Sequence, residues 1–382
     1  MSLHFTSRVA TEADVFELMK VWHLDSNTQR DEDVFINLAD FRKSLNDPQT
    51  FWLLLINEGQ IDGFVWALID SDQKLAKVKR ACVKQDVSGG RDQRIFWLVQ
   101  ELVQALKKHM PTLEVLYTTM RPLAYQTDVL RDLGFRVLGI FPNGKEIDSS
   151  LVNSLETYFY DNVLEKNRPA ELTLHPLLMP LYDIVRQECI LPKVTEYQGD
   201  LSTIREFEVL PKLDILKAPS FVAHRFEKLR SRQSLSSQFY PFHAPNALIT
   251  DLNQSIEVFV KIFTETSMAT IVGERLELGV NPIDLYKNVA RILREHGILY
   301  VEMINDAADA LGTEALIQAG YLPCAYFPAL KKQNNVRRDY VVFARSFENF
   351  FYPDLGNIAP VYRQYLKQYY EYEKLVFHRF IK

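Results

Sequence analysis

The chain has 382 residues, a formal net charge of −5, 47% hydrophobic and 24% charged residues, the balance of a globular protein long enough for two cores. The negative charge argues against a protein devoted to nucleic acid. Three scattered cysteines, Cys82, Cys189 and Cys324, form neither a disulfide framework nor a zinc spacing, which points to a cytoplasmic compartment.

In chain order, the start "MSLHFTSRVATEADV" lacks the pattern of a signal peptide. "SRVATEADVFELMKVW" predicts a short strand and then a helix capped by Thr11. Glu12 and Asp14 suit the positive end of that helix, and Val15, Leu18, Met19 and Trp22 fall at helical spacing. "FWLLLINEGQIDGFVWALID" (51–70) reads as a hairpin with Gly59 and Gly63 in the turn region. "KLAKVKRACVKQDV" (74–87) is a third strand, followed by Gly89-Gly90 and an amphipathic helix over about 92–108. The strand "EVLYTTM" (114–120), a helix ending at Gly134 and two more strands complete the first half, up to Val163. This order implies an α/β protein with a mixed sheet and helices on both faces. No apolar run approaches the ~20 residues needed to cross a bilayer.

The second half repeats the first. "TDVLRDLGFRVLGIFPN" (127–143) aligns without a gap with "TEALIQAGYLPCAYFPA" (313–329), so that Thr127 answers Thr313 and Gly134 answers Gly320. The helix "PIDLYKNVARILREHG" and the strand "ILYVEMI" precede the second copy as their counterparts precede the first. A fixed offset with matching neighbours is the signature of duplicated units. Gly134-Phe135 and Gly320-Tyr321 each have a local reason, since glycine takes the left-handed conformation that ends a helix. Pro169, Pro176 and Pro180 place a boundary between the copies. The expected domains are 1–164, a helical linker 165–194, a second copy 195–350 and a helical tail 351–382. In the tail, Tyr362, Leu366 and Tyr369 share one side, to dock on the chain itself or to meet a partner or a membrane surface.

The "RVATEADVFEL" opening, the "LLLINEGQIDGFVWALI" hairpin, the glycine loop before the 92–108 helix and "LRDLGF" before the last strands together resemble the GNAT superfamily of acyl-CoA-dependent N-acyltransferases. The resemblance covers about 1–163, and more weakly 195–346. It implies two such domains in tandem, each a mixed, mostly antiparallel sheet flanked by helices. It also implies acetyl-CoA or another acyl-CoA as co-substrate, its pantetheine laid along a splayed strand. The pyrophosphate would rest on backbone N–H groups at the next helix N-terminus, where unpaired donors and the helix dipole favour an anion. On this chain the implied cofactor residues are Ala81, Cys82, Val83, Ser88, Gly89, Gly90, Arg91, Asp92 and Gln93. "QDVSGG" departs from the family's loop by having Ser88 for its first glycine, and "SGGRDQ" by having Arg91 and Gln93 where small residues are usual. The Gly-Gly pair also reads as an ordinary strand-to-helix turn. In the second copy "GERLELGVNPIDLYKNV" (273–289) has a lone Gly279, Pro282 in the first helical turn, and Glu274 and Glu277 to repel phosphates. No acyl-CoA is expected there.

The family's acid tyrosine falls at Leu130, which cannot donate a proton; Leu316 is its counterpart. Tyr125 is the substitute acid and Asp86 the nearest carboxylate for a base. Tyr125 reads equally as a packing residue and Asp86 as a solvated loop residue. Cys82 is either a nucleophile or a small buried hydrophobe. "RFEKLRSRQS" (225–234) is a charged helix face or a site for the CoA 3′-phosphate. No residue cluster has metal spacing. The expected function is direct transfer of an acyl group from acyl-CoA to a small-molecule or peptide amine in a ternary complex. The alternatives are a GNAT-fold binding or regulatory protein without activity, and an aminoacyl transferase of the tandem cell-wall type.

Overall fold

A computed structural model describes residues 5–24, 37–84, 91–120, 127–142, 152–201, 207–238, 242–348 and 358–380. The chain divides into two compact units, Met1–Arg136 with Leu155–Lys166, and Val137–Ser154 with Asn167–Lys382.

The stretch shared by the first unit and its continuation runs β1 (Phe5–Val9), α1 (Val15–Leu24), α2 (Leu38–Asn46), β2 (Thr50–Asn57), β3 (Gln60–Asp70), β4 (Leu75–Val83), α3 (Arg91–His109), β5 (Val115–Met120), α4 (Thr127–Asp132), β6 (Arg136–Phe141), β7 (Asn153–Phe159) and α5 (Val163–Lys166). The sheet order in the first unit is β1-β2-β3-β4-β5-β7. β1 to β4 are antiparallel and β4–β5 is parallel.

The apolar runs of β2 and β3 look continuous because both faces are covered. Phe51, Leu53, Leu55, Val65 and Ala67 belong to the core that contains Leu98, Leu102 and Leu106 of α3. The alternate residues Trp52, Leu54, Phe64 and Trp66 pack instead with Val15, Leu18 and Trp22 of α1 and Phe41 of α2. Trp52 stacks on Trp66 at 5.2 Å, and Trp22 on Phe64 at 5.8 Å. At the entry to α1, the Thr11 N–H donates to Asp14 Oδ2 (2.8 Å), and Arg8 grips both oxygens of the same carboxylate (2.6 and 2.7 Å).

The second unit takes in β6 and adds β8 (Thr173–Leu174), α6 (Met179–Cys189), β9 (Thr195–Glu196), β10 (Asp214–Leu216), α7 (Pro219–Ser231), β11 (Ser237–Gln238), β12 (Ala247–Thr250), β13 (Ile256–Phe263), β14 (Met268–Leu276), α8 (Pro282–Glu295), β15 (Tyr300–Asp306), α9 (Ala310–Gln318), β16 (Leu322–Gln333), β17 (Val336–Ser346) and α10 (Pro360–Phe380). Its sheet order is β6-β16-β17-β15-β14-β13-β12-β10, with β11 on β14. The sheet is antiparallel except at β14–β15.

The repeat seen in sequence reappears as geometry. Gly134 (φ +93°) and Gly320 (φ +84°) both end helices in the left-handed region. The Phe135 N–H donates to the Leu130 carbonyl, as the Tyr321 N–H does to Leu316. β6 and β16 meet where Gly139 pairs with Ala325, its own counterpart in the repeat. A Cβ on Gly139 would lie 2.2 Å from the Ala325 Cβ and 2.5 Å from the Cys324 carbonyl oxygen, so only glycine fits.

The segment between the copies and the tail are both built into the second unit. Arg168 forms a bidentate pair with buried Asp339, which also accepts from Tyr326 Oη (2.6 Å) and the Ala329 N–H. α6 and α10 pack on β16. Tyr362, Tyr365, Leu366, Tyr369 and Tyr372 of α10 are buried. Tyr365 donates to the Val137 carbonyl and Tyr372 to the Leu177 carbonyl. The tail therefore docks on its own chain. No described helix is long and apolar enough to cross a membrane.

Two outcomes follow from this packing. Gly139→Val should lower unfolding free energy by about 3 kcal/mol through overpacking at the β6–β16 contact, read by urea denaturation. The second concerns Asp14, whose carboxyl is held at about 2, below its ordinary 3.8, first by the Arg8 hydrogen bonds and then by Thr11. A depressed folded-state value stabilises above the unfolded value and is lost as pH falls through the folded one. Asp14→Asn should therefore cost about 1 kcal/mol near neutral pH, and the difference from wild type in urea titrations should vanish as pH drops below about 2.

Candidate active site

The strand pair β4–β5 is where the two sheet neighbours of one strand part company. The antiparallel ladder from β4 to β3 runs the whole strand, from Leu75↔Asp70 to Val83↔Gly63. The parallel ladder to β5 runs from Leu75↔Val115 to Val78↔Thr118, and among the described residues it ends there. A bulge marks the point of divergence. Trp66 pairs with Arg80 and Ala67 with Val78, which leaves Lys79 as the extra residue. A bulge bends its strand and increases the local twist, so the last residues of β4 lead away from β5. Ala81–Val83, the last residues of β4, therefore have no rung to β5, and residues 85–90 and then α3 follow them in the chain.

The mouth of that loop is clamped. The Lys84 N–H donates to the Asp62 carbonyl (2.8 Å). The Lys84 carbonyl accepts from Arg94 Nη2 (3.0 Å), and Arg94 Nη1 meets Asp62 Oδ2 at 2.7 Å. Both side chains of the ion pair are largely buried, at 6% and 14% exposure. Arg94 is the fourth residue of α3, so one guanidinium ties the residue before the loop to the helix after it. Gly63 sits opposite Val83, where a Cβ would lie 2.5 Å from the Cys82 carbonyl oxygen. The hairpin turn itself is made by Gly59 (φ +80°), so Gly63 serves close strand approach rather than the turn.

The residues singled out from sequence divide as follows. Ala81 is half-buried, and Val83 is buried in the core under α3. Cys82 is buried on the opposite face, its thiol 3.7 Å from the Val21 carbonyl, the environment of a packed hydrophobe. Arg91 and Asp92 open α3, and Gln93 is exposed in its first turn. Asp86, Ser88, Gly89, Gly90 and Tyr125 lie outside the described residues. Leu130 is buried in the core with Phe135. No group of His, Cys, Asp and Glu among the described residues has the arrangement of a metal site. In the basic run of α7, Arg225 holds both oxygens of Glu257 at 2.9 Å, and Arg230 pairs with Glu227 of the same helix.

The Asp62–Arg94 clamp was not read from sequence. Asp62 stands in a hairpin, where aspartate is ordinary turn chemistry, and a lone arginine early in a helix carries no signal of a partner in a distant hairpin.

No protein-family model matches this sequence, and no curated protein matches it. Solved structures do. A ribosomal-protein-alanine N-acetyltransferase from Brucella melitensis matches at 17% identity over 40% of this chain and 99% of its own, with a TM-score of 0.34. The ribosomal-protein-S18-alanine N-acetyltransferase from Escherichia coli matches at 16% identity over 41% and 94%, with a TM-score of 0.32. A ribosomal-protein-S5-alanine acetyltransferase from Vibrio fischeri matches at 14% identity over 42% and 94%, with a TM-score of 0.34. Likeness at this level assigns neither substrate nor mechanism.

The clamp has a measurable weight. Arg94→Met should cost about 3 kcal/mol by stranding the buried Asp62 carboxylate, and the double change with Asp62→Leu should recover most of that loss. A double-mutant cycle by urea denaturation reads the coupling.

Proposed function

We propose that this chain is an N-acyltransferase that takes an acetyl or other acyl group from acyl-CoA and passes it to an amine. The single observation that carries the proposal is the end of the β4–β5 ladder at Val78↔Thr118, with the N-terminus of α3 next in the chain after residues 85–90. A slot between parallel strands fits a pantetheine arm, which bonds main-chain groups as an added strand does. A helix N-terminus at the end of that slot fits a pyrophosphate. The bound thioester supplies an activated acyl group. The chain's part is then to hold it and align it. Backbone of Ala81–Val83 lines the arm, and Ser88–Gln93 takes the phosphates. The clamp of Asp62 and Arg94 ties Lys84 to the start of α3. Orientation and preorganised backbone dipoles account for most of what direct transfer to a neutral amine requires. Tyr125 is the proposed proton donor to the departing thiolate, and Asp86 the proposed base.

A second reading has its own support. Leu130, at the position the resemblance gives to an acid, is 3% exposed and packed in the core. That favours a protein which binds acyl-CoA without turning it over. Aminoacyl transfer from a charged tRNA fits the net negative charge poorly.

Calorimetry with acetyl-CoA is the test. Binding in the micromolar range is expected, and Gly90→Glu should weaken it by about tenfold or more, since a carboxylate beside the pyrophosphate repels it. No binding by the wild type sinks the proposal, and binding that survives Gly90→Glu places the phosphates elsewhere. Turnover with an amine panel, lost in Tyr125→Phe, separates the enzyme from the silent binder.

A further inference from the structure

The second unit contains a slot of the same construction. Its parallel ladder β14–β15 runs from Met268↔Tyr300 to Thr270↔Glu302, while the antiparallel ladder to β13 continues to Leu276. The bulge recurs too. Phe259 pairs with Gly273 and Val260 with Ile271, which leaves Val272 as the extra residue. Val272 follows Lys79 at the same offset by which Met268 follows Leu75 and Phe263 follows Asp70. On that offset, Gly273 and Glu274 stand where Arg80 and Ala81 stand in the first unit.

This slot is filled by the chain. β11 pairs antiparallel with β14 at Ser237↔Glu274 and Gln238↔Gly273, beyond the last rung to β15. The Ser236 N–H donates to the Glu274 carbonyl (2.8 Å), and the Leu276 N–H donates to Ser236 Oγ (2.8 Å). The loop that follows is occupied as well. The Gly279 N–H donates to the Glu208 carboxylate (3.2 Å), and the Glu208 N–H returns a bond to the Gly279 carbonyl (3.0 Å). Asn281 accepts from the Ile283 N–H and caps α8, with Pro282 contributing no donor. A peptide strand lies along Gly273–Leu276, the counterparts of Arg80–Val83, and a carboxylate accepts from the Gly279 N–H in the loop before α8.

We infer that the second unit is liganded in cis: the segment Ser236–Gln238 and the Glu208 carboxylate occupy its slot as a built-in substitute for the pantetheine and pyrophosphate. The slot is a strand-addition site whose occupant is the chain itself. The consequence for acyl-CoA rests on the function proposed above: each chain binds one molecule, in its first unit.

Two measurements test this. Hydrogen-exchange mass spectrometry reads the backbone of residues 273–281 in the full chain without added ligand. Ser236→Ala should speed exchange at Leu276 by about fivefold, and Glu208→Ala should do the same at Gly279, because each removes one acceptor. Unchanged exchange in both variants overturns the inference. Calorimetry with acetyl-CoA reads stoichiometry. One site per chain, weakened by about tenfold or more in Gly90→Glu, is the expected result, and two sites per chain overturn the inference. A wild type that binds no acetyl-CoA defeats the proposed function, and the exchange result then decides the plug by itself.

Discussion

A strand that parts from one neighbour partway along its length must satisfy its backbone in some other way, because unpaired amides and carbonyls away from water are costly. This constraint organises both units. In each, a parallel ladder of three or four rungs gives out at a bulge while the antiparallel ladder on the other side continues. The bulge supplies the bend, and the continuing ladder keeps the strand in the sheet. What fills the opened edge then distinguishes the units. In the second it is the chain's own Ser236–Gln238. In the first, the proposed occupant is an acyl-CoA arm.

Helices α1 and α2 cover one face of β2–β4 with a packed set of tryptophans and phenylalanines, and α3 covers the other. The buried pair Asp62–Arg94 then fixes Lys84, the residue from which the loop departs. A buried ion pair adds little stability for its cost, but it sets a position well, and here it ties a hairpin to a helix start. In the second unit Asn281 and Glu208 take up the Ile283 and Gly279 N–H groups at the entry to α8.

The repeat also shows how duplication is accommodated. β6 belongs to the first copy by sequence, yet it lies in the second compact unit, paired with its own counterpart β16. Two equivalent strands that pair antiparallel bring one pair of equivalent residues face to face. Gly139 meets Ala325 there, and one of the two must be glycine for the backbones to approach. The segment joining the copies is likewise drawn in by Arg168 and Asp339, and the tail by the tyrosines of α10.

The linear sequence determined what local physics governs. Apolar, β-branched runs marked β2, β3 and β4, and helical spacing marked α1, α3 and α8. The left-handed glycines 134 and 320 ended their helices where the sequence placed them, and the fixed offset between the copies carried over to the paired strands. Tyr362, Leu366 and Tyr369 shared a face, as their spacing required. The tertiary structure alone decided the contacts between residues far apart in the chain. Asp62 and Arg94, Glu208 and Gly279, and Ser236 and Leu276 are each joined across long stretches of sequence. None of these residues is unusual for its local setting, so periodicity and turn chemistry are silent about them. It was also the packing that turned the Cys82 thiol toward the Val21 carbonyl and buried Leu130. Local pattern records which face a residue takes, whereas the filling of a slot depends on which distant segment arrives there, and only the folded chain brings that segment into reach.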